Sequence, residues 1–256
     1  MTALRKTLTS HRMVTVVWVL GLIVVWEIGA TIISGVKRTP ENVLPHLYQI
    51  VGSIFDTHKV NGSQTALEIV MSNAGITLLR AGIGFILGAA VGYALALLMS
   101  LFKAVEKTIF PYLMIIQMVP ILGMAPIVLA LTKSIDKSRI VIAAILTFYP
   151  VATNTLAGFK AVEREKRELM YSLASGKFEL YRKLLIPFCT PYLFTGLKIA
   201  APMAITASIL VDTLQGGGGL GTMMSQSLKH AMTIYVFWQI VFLSAIVGIL
   251  SYQLMA

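Results

Sequence analysis

The chain has 256 residues, of which 57% are hydrophobic and only 12% charged, and its mean hydropathy is +0.81. Soluble domains carry about 25% charged residues, so too little polar surface is available to cover a water-facing globule. The net charge of +10 is spread between long apolar stretches and not along one polar face, which excludes a nucleic-acid surface and points to loops flanking membrane spans.

A membrane helix needs about 20 apolar residues, and six segments qualify: 13–34, 76–101, 108–132, 140–160, 188–211 and 234–255. The first follows Arg5, Lys6 and Arg12. It is too long for a leader's apolar core, contains Glu27, and has no small-residue cleavage site after it, so it reads as a retained span. The stretch 35–75 is external. Thr39-Pro40-Glu41 reads as a helix start, and Val43, Leu44, Leu47, Ile50, Val51 and Ile54 recur at helical spacing, as an amphipathic helix on the outer interface would.

In the second span Gly84, Gly88 and Gly92 share one face, where missing side chains let two helices approach closely. Pro111, Pro120 and Pro126 predict kinks in the third. Basic residues flank the spans unequally. Arg5, Lys6, Arg12, Lys103, Lys107, Lys160, Arg164, Lys166, Arg167, Lys177, Arg182 and Lys183 fall on one side; Lys37, Arg38, Lys59, Lys133, Lys137, Arg139 and Lys229 fall on the other. The richer side is cytoplasmic, giving N-in and C-in with an even number of spans. The expected fold is an all-α polytopic membrane bundle, organised as 1–71 (first span and external helix) and a core of five spans, 72–256.

Segment 160–187 is too charged to span a membrane and forms a large cytoplasmic loop. Leu169, Met170, Leu173 and Ala174 form one helical stripe, Ser175-Gly176 breaks the helix, and Phe178, Tyr181, Leu184 and Leu185 form a second. Two short amphipathic helices at an angle would suit either a lipid surface or a cytoplasmic partner.

This loop resembles the coupling loop of ABC importer permeases, the binding-protein-dependent transport inner-membrane family. The family pattern is Glu-Ala-Ala, three residues, Gly, then a hydrophobic residue ten positions later and Pro thirteen positions after that Gly. Glu168, Leu184 and Pro187 match it, while Leu169 and Met170 replace the alanines and Ala174 the Gly, with Gly176 two residues late. Thr77-Leu78-Leu79-Arg80 with Gly84-Phe85, Pro120 with Ala125-Pro126, Phe148-Tyr149-Pro150 with Asn154-Thr155 and Gly158, and Asp212 with Gly219-Leu220-Gly221 follow the family's order from Ser72 onward. Trp26-Glu27 resembles the branch that imports sulfonates, taurine, nitrate or pyrimidine-type vitamin precursors.

The resemblance implies a type I ABC importer permease in the bacterial inner membrane. Two such subunits, identical or related, would pair around a central pathway, an external solute-binding protein would deliver the solute, and cytoplasmic ABC ATPases carrying ATP and Mg would drive alternating access. It makes Glu168, Leu169, Met170, Ser172, Leu173, Ala174, Ser175, Gly176, Phe178 and Pro187 the ATPase contact. The family usually carries a basic cytoplasmic tail, which these 256 residues lack. The chain itself would be no enzyme: it has no Gly-x-x-x-x-Gly-Lys phosphate loop, and ATP must bind another chain.

By span position, Gln117, Met118, Met124, Asn154 and Asp212 are candidates for the solute pathway. Asp212 either lies on that path or is an interface charge bound to water or Arg80, and Glu27 pairs with a neighbouring helix. Gln215 and the glycines 216–219 form a flexible outer turn, serving as a gate, a binding-protein contact or an ordinary loop. His11, His46, His58 and His230 lie outside the spans without metal-ligand spacing, and Cys189 is a small packing residue. The competing reading, a secondary transporter or channel, would show inverted repeats and mid-membrane charges, and neither is read in the spans.

Overall fold

The computed structural model describes residues 11–60, 63–229 and 234–255, with the side chains of 11, 12, 121 and 122 excepted. It is helical throughout its regular elements: α1 His11–Val36, a 3-10 turn Pro40–Asn42, α2 Leu47–Ile54, α3 Ala66–Leu101, α4 Lys103–Met118, α5 Ile121–Thr132, α6 Ile135–Lys160, α7 Arg164–Ser172, α8 Lys177–Leu180, α9 Ile186–Gln215, α10 Leu220–Lys229 and α11 Ile234–Leu254. The chain divides into two compact units, Met1–Ile69 with Ser227–Gln239, and Val70–Gln226 with Ile240–Ala256.

In the first unit, α1 is apolar on all sides and its large side chains, Val17, Trp18, Leu22 and Val25 among them, stand open, as a lipid-facing span requires. Its polar pair is fully engaged. Trp26 Nε1 donates to the Pro45 carbonyl at 3.0 Å, while Glu27 accepts the Leu47 amide at 2.8 Å and contacts His46 Nδ1 at 2.6 Å. A carboxylate there meets the unpaired amides that open α2. The external helix therefore begins at Leu47 and not at Pro40. Pro45 disfavours helical backbone before it, and His46 with Gln49 closes a capping box.

In the second unit, the glycine stripe sets helix direction. Cβ atoms on Gly84, Gly88 and Gly92 would lie 2.5–2.6 Å from Ala143, Ala144 and Phe148 respectively, so α3 and α6 run parallel at close approach. Two parallel helices require the chain between them to recross the bundle. That crossing is the pair α4 and α5, bent by 111° at their junction. Counted as one span, the pair brings the total to six. The break falls at Pro120, with Val119 and Pro120 extended, while Pro111 and Pro126 stay inside helices. Gly158 meets Cys189 and Tyr192, and Gly196 meets Pro150 and Val151, so α6 and α9 are antiparallel.

Two spans start ten or more residues before the apolar segments that mark them. α3 starts at Ala66, ten residues earlier than the apolar segment, with Thr65 and Glu68 capping reciprocally. The fifth span also starts earlier, because Lys177–Gln215 is one continuous helical run. Its π turn Tyr181–Leu185 lies just before Pro187, where a widened turn accommodates a residue without an amide N–H.

Candidate functional site

The loop between α6 and α9 is rigidly built. Arg167 donates to the Phe159 carbonyl at 2.5 Å, capping the end of α6. α7 then ends in a paired turn, with Ser175 N donating to Met170 O at 3.1 Å and Ala174 N to Tyr171 O at 3.0 Å. These two bonds define a Schellman motif, whose C′ residue must be left-handed. That residue is Ala174, at φ 53°. Gly176 instead has φ −72° and serves as the N-cap of α8. The helix is broken by Ala174 and not by Gly176, and the family's glycine position is the position that needs positive φ.

The second stripe does not form a separate helix at an angle, since α8, the π turn and α9 are continuous. Nor does the first stripe share one environment. Met170 packs onto a core of Phe159, Val162, Leu180, Leu185 and Cys189. Leu169, Leu173 and Phe178 are 60%, 68% and 75% exposed, with Tyr171 beside them at 58%. Glu168 is paired with Arg164 at 2.6 Å on the exposed surface, and Ser172 Oγ donates to the Leu169 carbonyl at 2.8 Å. An anchored loop thus presents four large apolar side chains outward at the end where α6 finishes and the fifth span begins.

At the opposite end of α6 the structure assembles a buried ionic cluster. Asp212 and Arg139 are fully buried, and Arg139 Nε lies 2.7 Å from Asp212 Oδ1. The N–H does not point along that line, leaving both atoms without a formal hydrogen bond, so the contact is chiefly Coulombic. Arg80 Nη1 is 3.7 Å from the same oxygen, and Arg80 Nη2 is 2.5 Å from Asp136, whose side chain is 65% exposed. Thr77 Oγ1 donates to Asp212 Oδ2 at 2.8 Å. Two carboxylates balance two guanidiniums, as burial demands.

The glycine turn completes this cluster. Gly216, Gly217, Gly218 and Gly219 all have positive φ. Arg139 donates to the Gly216 carbonyl, Arg80 to that of Gly218 at 3.4 Å, and Gly219 N donates to Asn73 Oδ1 at 2.8 Å. Gln215 reaches Ser138 Oγ and the Ala125 carbonyl, both at 3.0 Å. The turn expected to be flexible is clamped from α3 and α6.

The expected pathway residues stand in different helices and differ in exposure. Gln117 and Met118 are exposed at the end of α4 and Met124 is half-buried in α5. Asn154 Nδ2 donates to the Pro150 carbonyl of its own helix at 2.8 Å and packs beside Gly196. Asp212 has Arg139 as its nearest cation, with Arg80 second. Two charged residues escaped the sequence reading. Arg139 was counted as an external flank but is a buried helix residue, because α6 starts at Ile135 and not at 140. Lys198 sits in the middle of the fifth span, so that span does carry a mid-membrane charge. A single lysine within an otherwise apolar 24-residue stretch was the available signal.

The family model described as "Binding-protein-dependent transport system inner membrane component" matches residues 65–256. The formylaminopyrimidine transport permease protein ThiX of Halalkalibacterium halodurans is 30% identical over 231 residues, 90% of this chain and 87% of its own. The nitrate import permease protein NrtB of Synechocystis sp. is 26% identical over 229 residues, 90% of this chain and 81% of its own. Among solved structures, an amino acid ABC transporter chain superposes with TM-score 0.65 at 17% identity, covering 78% of this chain and 97% of that one. At that identity the likeness concerns the fold.

Proposed function

This chain belongs to the binding-protein-dependent transport system inner membrane component family and is a multi-pass inner-membrane permease subunit of an ABC importer; on that footing, we propose that it pairs with a second permease and couples to cytoplasmic ABC ATPases through residues 160–187. An external binding protein delivers the solute, a small organic anion or vitamin precursor. ATP binds the partner ATPases, and the permease does no covalent chemistry.

One observation carries the coupling reading: Leu169, Leu173 and Phe178 stand exposed on a turn locked by two hydrogen bonds and anchored by Met170. Large apolar side chains held open on a rigid mount fit a groove on a partner. A rigid mount is also what force transmission requires, because a loose loop would absorb the ATPase motion instead of passing it to α6 and α9. Glu168 and Arg164, paired beside this tip, supply a polar rim.

Site-directed cross-linking tests the assignment. The only cysteine, Cys189, is buried, so Phe178→Cys in a Cys189→Ala background introduces one reactive thiol. It is expected to cross-link to the ATPase subunit in the assembled complex, in a manner altered by ATP. Free labelling with no ATPase adduct in any nucleotide state would overturn the assignment.

A further inference from the structure

We propose that α2 is a re-entrant wedge set inside the outer leaflet, with its exposed face against lipid acyl chains, and not a helix lying on the membrane surface. The inference goes beyond the coupling reading and rests only on the chain's place in the inner membrane.

Two hydrogen bonds fix the depth of α2 against the spans beside it. Glu27, which accepts the Leu47 amide, stands nine residues before the outer end of α1 at Val36. Gln239 Nε2 donates to Ser53 Oγ at 2.9 Å and stands five residues after α11 begins at Ile234. At about 1.5 Å per residue, the 21 residues of α11 match a hydrocarbon core about 30 Å thick, so Gln239 lies about 7 Å inside its boundary. The 24-residue apolar stretch Met13–Val36 overhangs that core by about 3 Å at each end, which puts Glu27 about 10 Å inside. Both ends of α2 are pinned beneath the surface, the first more deeply. The chain turns charged only after α2, at the exposed Asp56 and Lys59, where it climbs back to the headgroups.

The side chains of α2 are arranged inside out. Those facing the protein are mostly polar and engaged: His46 with Glu27, Gln49 with the His46 amide at 2.9 Å, and Ser53 with Gln239, with Ile50 buried beside them. The exposed residues between 47 and 55 are Tyr48, Val51, Gly52, Ile54 and Phe55, and Tyr48, Val51 and Phe55 form one helical stripe. A helix in water shows the opposite pattern. The stripe carries a single hydroxyl, on Tyr48, whose ring stacks on His46. The irregular entry to α2 fits the same depth, because non-helical backbone below the surface persists only where protein groups satisfy it. Trp26 meets the Pro45 carbonyl, Gln49 the His46 amide and Glu27 the Leu47 amide, where water would serve a turn at the surface. α1, which supplies two of these bonds, is itself open along its apolar length, so the face of α2 continues a lipid-facing surface.

The test uses the whole chain reconstituted in proteoliposomes. Nitroxide labels at Tyr48→Cys, Val51→Cys and Phe55→Cys, each with Cys189→Ala, are read by their collisions with two reagents. Oxygen concentrates among the acyl chains, and a nickel chelate stays in water. The oxygen-to-nickel collision ratio at positions 48 and 51 is expected to exceed that at Lys59→Cys severalfold. A ratio equal to that at Lys59→Cys puts α2 in water, and low collision rates with both reagents put it against protein; either overturns the proposal. A second measurement needs no substitution. A lipid carrying a photoreactive diazirine on its acyl chain should leave adducts on residues 47–55 of the wild type. Adducts on α1 with none on that segment contradict the site.

Discussion

Replacing Ala174 by glycine should strengthen the coupling loop, although it removes atoms and adds no contact. Ala174 is exposed, so its methyl contributes no packing, and its φ of 53° places Cβ against the following carbonyl. A left-handed residue other than glycine costs about 1–2 kcal/mol. Glycine in turn widens the unfolded ensemble, at about 0.4–1 kcal/mol. The balance favours Ala174→Gly by about 0.7 kcal/mol, or roughly threefold in a local opening equilibrium. The reporter is the Ser175 amide, which donates to Met170 O and exchanges with solvent only when the turn opens. Hydrogen exchange at this amide should slow about threefold in Ala174→Gly, by that same arithmetic, and accelerate in Ala174→Val, whose β-branch is a worse fit to positive φ. Exchange equal to or faster than wild type in Ala174→Gly would refute the left-handed assignment and the Schellman turn with it.

Asp212→Asn leaves Arg139 buried without its counter-charge and should destabilise the bundle by about 3–5 kcal/mol, read as a lower melting midpoint in detergent. Asp136→Asn, whose carboxylate is exposed although its guanidinium partners are buried, should lower the midpoint too, but by less than Asp212→Asn. Gly88→Ala places a Cβ 2.5 Å from the Ala144 carbonyl and should cost about 1–3 kcal/mol by overpacking, whereas Gly82→Ala meets nothing within 4 Å and should raise the midpoint, by about 0.4–1 kcal/mol, because it narrows the unfolded ensemble. Glu27→Gln removes the negative charge that α2's first amides face, so exchange at the Leu47 amide should speed up while α6 and α9 amides stay as they were.

Hydropathy located every span, because twenty-residue apolar runs have few other uses, and the loop's charge marked 160–187 as lying outside the membrane. What stayed hidden depended on partners distant in sequence. The first turns of α3, residues 66–75, carry Glu68 and Asn73 and fall outside an apolar window; Asn73 meets the 216–219 turn by accepting the Gly219 amide. Arg139 looked like a loop flank until Asp212, 2.7 Å away in space, supplied its counter-charge. The prolines of the third segment were all visible, yet only Pro120 stands at a helix break, while Pro111 and Pro126 stay inside helices. Ala174 was recognised as a departure from a glycine position, but only backbone geometry shows why glycine belongs there. Lys198 was legible and passed over, since mean hydropathy averages one charge away among apolar neighbours.

The coupling claim stands or falls on the exposed tip. With the chain, its ATPase and its binding protein in proteoliposomes, ATP-driven uptake and ATPase retention should both be lost in a Leu173→Glu, Phe178→Glu double variant. The melting midpoint should match wild type, because both side chains point away from the core that holds Met170. Uptake and ATPase retention at wild-type levels in that variant would contradict the account.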